Sequence, residues 1–188
     1  MVKIALVSGY KAQELGIFKQ NHPSIHFIKM AIKRNLEVLL DEGLEWVIIS
    51  GQLGTEIWTA EVVFDLQIEG YSDLKLAVIT PFLNQEKNWS EANKELYESV
   101  ISKADFVDSI TKKEYESPSQ FRIKNQFLIE KSDLLILFYD EEKEGSPKYL
   151  FQTAKEYGER NEADYEVRLI SFYDLQVLVE EENEWGNN

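Results

Sequence analysis

Cysteine is absent from the 188 residues, and histidine occurs only twice. The first absence excludes disulfides and thiolate chemistry. The second leaves His22 and His26 around Pro23 and Ser24 at a helix start. No Ser-His-Asp or Cys-His nucleophilic set can be drawn from them, and no metal is expected. No run approaches the ~20 apolar residues of a membrane span. Met1–Tyr10 lacks the apolar core and small-residue cleavage site of a signal peptide. The expectation is a cytoplasmic protein without a membrane span. Cations are scarce too: 20 Lys and Arg face 34 Asp and Glu, a formal net charge of −14. Phosphate backbones repel such a surface, so no nucleic-acid partner is expected. The acidity itself reads as solubility. A Gly-Lys-Ser/Thr loop, a Gly-x-Gly-x-x-Gly fingerprint, internal repeats and low-complexity tracts are also missing.

What is present is material for one core, 44% hydrophobic and 12% aromatic. The length fits one domain, placed at residues 1–180, with an acidic frayed tail over Glu181–Asn188. Strands are expected at Lys3–Ser8, Trp46–Ser50, Leu74–Thr80, Asp105–Ile110, Asp133–Tyr139 and Tyr165–Ser171. Apolar spacing predicts helices from Ser24 to about Asp41 and from Gly54 to about Ile68. Further helices are expected from Ser90 to about Lys103, from Ser117-Pro118 to about Lys131, from Pro147 to about Arg160 and over Tyr173–Glu180. The run Leu-Leu-Ile-Leu-Phe at 134–138 is typical of a strand covered on both faces. Strict alternation of strand and helix implies an α/β fold: a single doubly wound, Rossmann-like domain with a mostly parallel sheet.

Ligands of such sheets sit at the carboxyl ends of strands, against helix N-termini. Three turns fall there. Ser50-Gly51-Gln52-Leu53-Gly54-Thr55-Glu56 reads either as an open backbone cradle for phosphate or as a tight strand-to-helix turn. In the first case Glu56 accepts from ribose hydroxyls; in the second it complements the helix dipole. Ser8-Gly9-Tyr10-Lys11 lets Tyr10 stack on a base, or is a surface turn. Gly145-Ser146-Pro147-Lys148 allows Ser146 to N-cap its helix, or to hold a second phosphate edge with Lys148. Asn125, mid-helix, contacts the ligand or ties down a loop. Trp89 closes over a base or covers the core edge.

Blocks along almost the whole chain resemble the YpsA family of bacterial proteins. They include Gly9-Tyr10-Lys11, Glu14-Leu15-Gly16, Ser50–Glu56, Ile79–Phe82 and Gln85–Trp89. The blocks Tyr115–Pro118, Lys124–Phe127 and Glu144–Tyr149 continue the series. That family lies in the Rossmann-like superfamily of DNA-processing protein A and the lonely-guy phosphoribohydrolases. The resemblance implies a nucleotide-type ligand and no settled activity. Gly54-Thr55-Glu56 departs from the hydrolases' Gly-Thr-x-x-Glu: its glutamate adjoins the threonine, and the turn follows the second strand.

The ligand-binding candidates are Ser8, Gly9, Tyr10, Lys11, Ser50, Gly51, Gln52, Gly54, Thr55, Glu56, Asn125, Gly145, Ser146 and Lys148. The leading expectation is a sensor or adaptor that binds a nucleotide derivative, with NAD- and ADP-ribose-like molecules as candidates, and passes the event to a protein partner. The alternative is a hydrolase of an N-glycosidic or phosphoester bond. Glu56 is its only candidate catalytic residue.

Overall fold

Strand β5 (Leu134–Phe138) is buried at all five positions, as a strand covered by helices on both faces must be. Beside it runs β1 (Ile4–Gly9), and the others follow as β2 (Trp46–Ile49), β3 (Lys75–Thr80), β4 (Phe106–Ser109) and β6 (Glu166–Ile170). The computed structural model describes residues 1–187. The strands form one sheet in the order β4-β3-β2-β1-β5-β6. Every neighbouring pair is parallel, with Gly9 beside Phe138 and Ile4 beside Trp46. The edge strand β4 has only four residues, three of them exposed, and its Asp108 and Ser109 blunt it against further pairing.

From β1 the chain steps outward to β2, β3 and β4, then crosses back to β5 and β6. Right-handed crossovers therefore place α1 (Pro23–Asp41), α2 (Thr55–Ile68) and α3 (Glu91–Lys103) on one face. They place α4 (Ser119–Glu130) and α5 (Pro147–Asn161) on the other. Observed packing agrees: α1 lies on α2, α2 on α3, and α4 on α5. Helix α6 (Phe172–Gly186) returns to pack on α1. Strand order reverses between β1 and β5, the position where open α/β sheets offer a crevice. The sheet is thus doubly wound and Rossmann-like, and wholly parallel.

Local chemistry accounts for most helix ends. Ser90 caps α3, accepting from the Asn93 amide at 3.3 Å. Ser171 and Asp174 close a reciprocal capping box on α6. His22 caps α1 through Nδ1, accepting from the Ser24 amide at 3.2 Å. Three expectations differ from what is seen. The helix expected from Ser117 starts at Ser119, and neither Pro118 there nor Ser146 at α5 makes a side-chain cap bond; both have helical dihedrals already. Helix α2 is buried nearly all round its first two turns instead of only on the face of Ile57, Ala60, Phe64 and Leu66 that its apolar spacing predicts, because it lies between α1 and α3 over the sheet. The acidic segment expected to fray is helical through Gly186. Glu181 pairs with Arg34 of α1 at 2.9 Å and Glu182 with His26 at 2.8 Å. Asn188 of that tail lies outside the described residues.

Candidate functional site

The three turns do lie at the carboxyl ends of their strands, and the turn after β1 touches both others. A Cβ on Gly9 would lie 2.7 Å from Phe138 Cβ and from Thr55 Oγ1. Only glycine lets α2 and β5 approach there at once. Gly9 therefore faces α2. Alternation along β1 sends Ser8 to the opposite face of the sheet.

Tyr10 corrects one expectation. Its side chain is fully buried and no ring face is open to a base. The ring packs on Phe138 at 5.1 Å, Phe172 at 5.7 Å and Tyr139 at 5.9 Å. Its hydroxyl accepts from the Asp140 amide at 2.9 Å and donates to the Lys143 carbonyl at 2.6 Å. Burial pushes the phenol pKa up, and the nearby Asp140 carboxylate adds to that. Tyr10 thus fills the crevice between β1 and β5. Gly145 is the residue that gives it room, since a Cβ there would stand 2.9 Å from the ring.

The turn after β2 is left-handed at Gly51 (φ +82°) and Gly54 (φ +100°). Gly54 is also crowded: a Cβ would be 2.4 Å from the Ala12 nitrogen. The Thr55 amide and hydroxyl both donate to the Tyr10 carbonyl, at 3.2 and 2.9 Å. Glu56 then turns back on the chain. Its Oε1 accepts from the Ser50 amide at 2.5 Å and the Ser50 hydroxyl at 2.7 Å; its Oε2 accepts from Ser8 Oγ at 2.9 Å. The hollow expected to be open between Ser50 and Glu56 is thus closed by the protein's own carboxylate, which is 4% exposed.

A second internal carboxylate serves the turn after β5. Glu14, on a 3-10 turn at Ala12–Leu15, accepts from the Ser146 amide at 2.7 Å, from Ser146 Oγ at 2.8 Å and from the Lys11 amide at 2.7 Å. The amide expected to hold a phosphate edge is thereby engaged. Lys148 does not join the other candidates: its Nζ lies 3.6 Å from Glu144 and over the exposed Tyr149 ring.

Helix α4 contributes a residue absent from the expected set. Gln120, Asn125, Leu128 and Ile129 are its buried residues, and the partly buried Phe121 and Lys124 flank them on the same side, the i, i+3, i+4 spacing of a core-facing helix. Lys124 is partly buried, and desolvation holds its ammonium below the ordinary lysine range. The Glu56 carboxylate pulls it back up, and Lys11 adds a further push down. Asn125 is 7% exposed, and its Oδ1 is the one buried side-chain N or O atom among the described residues without a hydrogen-bond partner. The signal was in the sequence: a lysine on the inner stripe of a helix has to be reaching for something polar.

On the α1–α3 face a cleft of about 440 Å³ opens over the turn after β2 and the start of α3. Lys11, Lys19, Gln52, Gly54, Trp58 and Trp89 are among its lining residues. Trp89 packs edge-on against Tyr97 at 5.4 Å, so it forms a wall of the cleft as well as covering the core edge. Gln52 reaches Gln85 at 3.3 Å, and Gln85 donates to the Ser50 carbonyl at 2.9 Å. Among the described residues no group of three or more His, Asp or Glu could hold a metal, and no helix is long and apolar enough to cross a membrane.

The family model described as the YspA SLOG family matches residues 5–175. A UPF0398 protein of Bacillus cereus (strain AH820) is 59% identical over 186 residues, covering 99% of each chain. A UPF0398 protein of Bacillus thuringiensis (strain Al Hakam) is 58% identical over the same coverage. Among solved structures, DNA processing protein A from Helicobacter pylori, described for its single-stranded DNA binding mode, is 14% identical. The match has a TM-score of 0.46, covering 96% of this chain and 80% of that one. The exclusion of nucleic acid drawn above does not hold. Net charge is a sum over a whole surface, whereas a strand meets one patch of it, so the sum alone excludes nothing.

Proposed function

The chain belongs to the YpsA family of SLOG proteins, and from that premise we propose that it binds a nucleotide-derived small molecule, NAD- or ADP-ribose-like, as a sensor or adaptor. The observation that carries this reading is the cleft beside Gly54. Its volume of about 440 Å³ is that of a small-molecule site, and Lys11 and Lys19 on its wall form no ion pair among the described residues. In a chain of net charge −14, unpaired lysines flanking two tryptophans suit an anionic, aromatic ligand.

The same geometry supplies a way to pass on the event. The Lys11 side chain meets the ligand while its amide donates to Glu14, and Glu14 holds the first turn of α5 through Ser146. A ligand that draws on Lys11 therefore loads the α5 contact. Hydrolysis ranks second: Glu56, its only named base, already accepts three hydrogen bonds from Ser8 and Ser50.

Calorimetry with AMP, ADP-ribose and NAD tests the reading. Saturable heat is expected with at least one, weakened about tenfold or more in Lys11→Met. Absence of heat with all three probes refutes it.

A further inference from the structure

Gln85 stands behind the turn after β2. Its Nε2 donates to the Ser50 carbonyl at 2.9 Å, and its Oε1 accepts from Gln52 Nε2 at 3.3 Å. The turn leaves room for it: a Cβ on Gly51 would lie 2.8 Å from Gln85 Nε2. A carboxamide left to itself turns end for end and exchanges donor for acceptor. This pair cannot. A backbone carbonyl only accepts, so the Gln85 group against Ser50 is the amine. The other end of Gln85 is then an acceptor, so the Gln52 group against it is again an amine. Gln52 Oε1 is the free end of this chain. Gln52 lines the cleft, and Gln85 lies behind it.

The rest of the cleft wall has no such order. Gln13, Gln20, Asn88 and Asn93 line it too, and among the described residues their side chains have no hydrogen-bond partner. No Asp or Glu lines it among the described residues, in a chain that carries 34. Gln52 is therefore the one carboxamide of the cleft whose polarity is set by the protein.

We propose that Gln52 is the specificity-determining residue of this cleft and Gln85 its positioning residue, and that together they select a base carrying an exocyclic amine over one carrying a carbonyl at the same place. The inference rests on the nucleotide reading above and adds which bases the cleft accepts. An amine donates to Gln52 Oε1. A carbonyl meets it oxygen to oxygen. Gln52 can offer its amine to that carbonyl only by setting its own Oε1 against Gln85 Oε1. Either way an acceptor loses its donor as water leaves the cleft. The carboxamides that turn freely adapt to either base, so they add affinity without choosing.

AMP carries the amine, and IMP carries a carbonyl in its place. Both are titrated by calorimetry into wild type, Gln52→Leu and Gln85→Met, with a thermal midpoint for each protein. Wild type is expected to bind AMP about tenfold or more tightly than IMP, since a site built to pair one polar group rejects the analogue lacking it. Gln52→Leu loses the preference through weaker AMP binding. Gln85→Met loses it by the opposite route: Gln52 is released to turn, so IMP binding tightens. Equal weakening of both nucleotides in Gln85→Met, with the ratio kept, makes Gln85 a structural prop and overturns the positioning role. A wild type that binds the two equally, or IMP better, overturns the selection and leaves the nucleotide reading standing. Retention of the wild-type ratio in Gln52→Leu overturns it as well, and this partly exposed position decides the matter alone if Gln85→Met loses its fold. Silence toward both probes overturns the selection, and silence toward ADP-ribose and NAD as well removes the nucleotide reading.

Discussion

Glu14 Oε1 accepts the Ser146 amide at 2.7 Å across 132 positions of sequence. One carboxylate thereby joins the turn after β1 to the first turn of α5, and does for that helix what an N-capping side chain usually does. Glu14→Ala leaves the Ser146 and Lys11 amides without this partner. Stability should fall by about 1–3 kcal/mol, read as a lower urea midpoint at unchanged slope. An unaltered midpoint would mean that solvent replaces the carboxylate at no cost.

Gly54 and Gly16 both have positive φ, but only Gly54 is crowded by backbone. Gly16→Ala should therefore cost about 1 kcal/mol, the strain of a left-handed residue alone. Gly54→Ala should cost distinctly more, since it must also push the Lys11–Ala12 segment away. Equal losses in a denaturation series would contradict the close approach seen here.

Lys124 is less readily protonated in the folded chain than in the unfolded one. Between its lowered value and the ordinary lysine value of about 10.4 the unfolded state binds more protons, so stability rises with pH across that window. Lys124→Met removes the penalty. A gain on the order of 1 kcal/mol is expected at neutral pH, shrinking as pH climbs toward 10. A loss at neutral pH would show that the ammonium contributes more than its burial costs.

Tyr165 works in the other direction. Its hydroxyl is bonded to Ser132 Oγ at 2.7 Å, and burial pushes its pKa far up. The folded chain keeps this proton when the unfolded chain gives it up near pH 10, so stability falls as pH rises past that point. Tyr165→Phe should lower the neutral-pH midpoint through the lost bond, by about 1 kcal/mol, and flatten the alkaline decline. A decline as steep as in wild type would assign it to other groups, Tyr10 and Tyr97 among them.

Much of the architecture was legible because it depends on local pattern. The run at 134–138, the alternation of strand and helix and the paired glycines at 51 and 54 each carry their meaning within a few residues. The site was legible only in part. Ser8, Ser50, Thr55 and Glu56 were placed at one strand edge, but what Glu56 accepts from depends on β1 and β2 standing in register. Tyr10 lay beyond the reach of pattern, since Phe138 and Phe172 must close on it before its burial is visible. Lys124 could have been found by carrying the helical spacing of Phe121, Asn125 and Leu128 one position back. The acidic tail looked frayed because its partners, His26 and Arg34, lie on a helix far away in sequence.

Tyr10 has a last consequence for anyone placing a molecule on this sheet by analogy with dinucleotide enzymes. The slot those enzymes leave vacant is here occupied by a phenol locked to Asp140 and Lys143. Free volume begins on the β2 flank of that ring. An overlaid cofactor would have to slide sideways by one or two strand spacings, about 5–10 Å, before it stopped colliding with aromatic carbon.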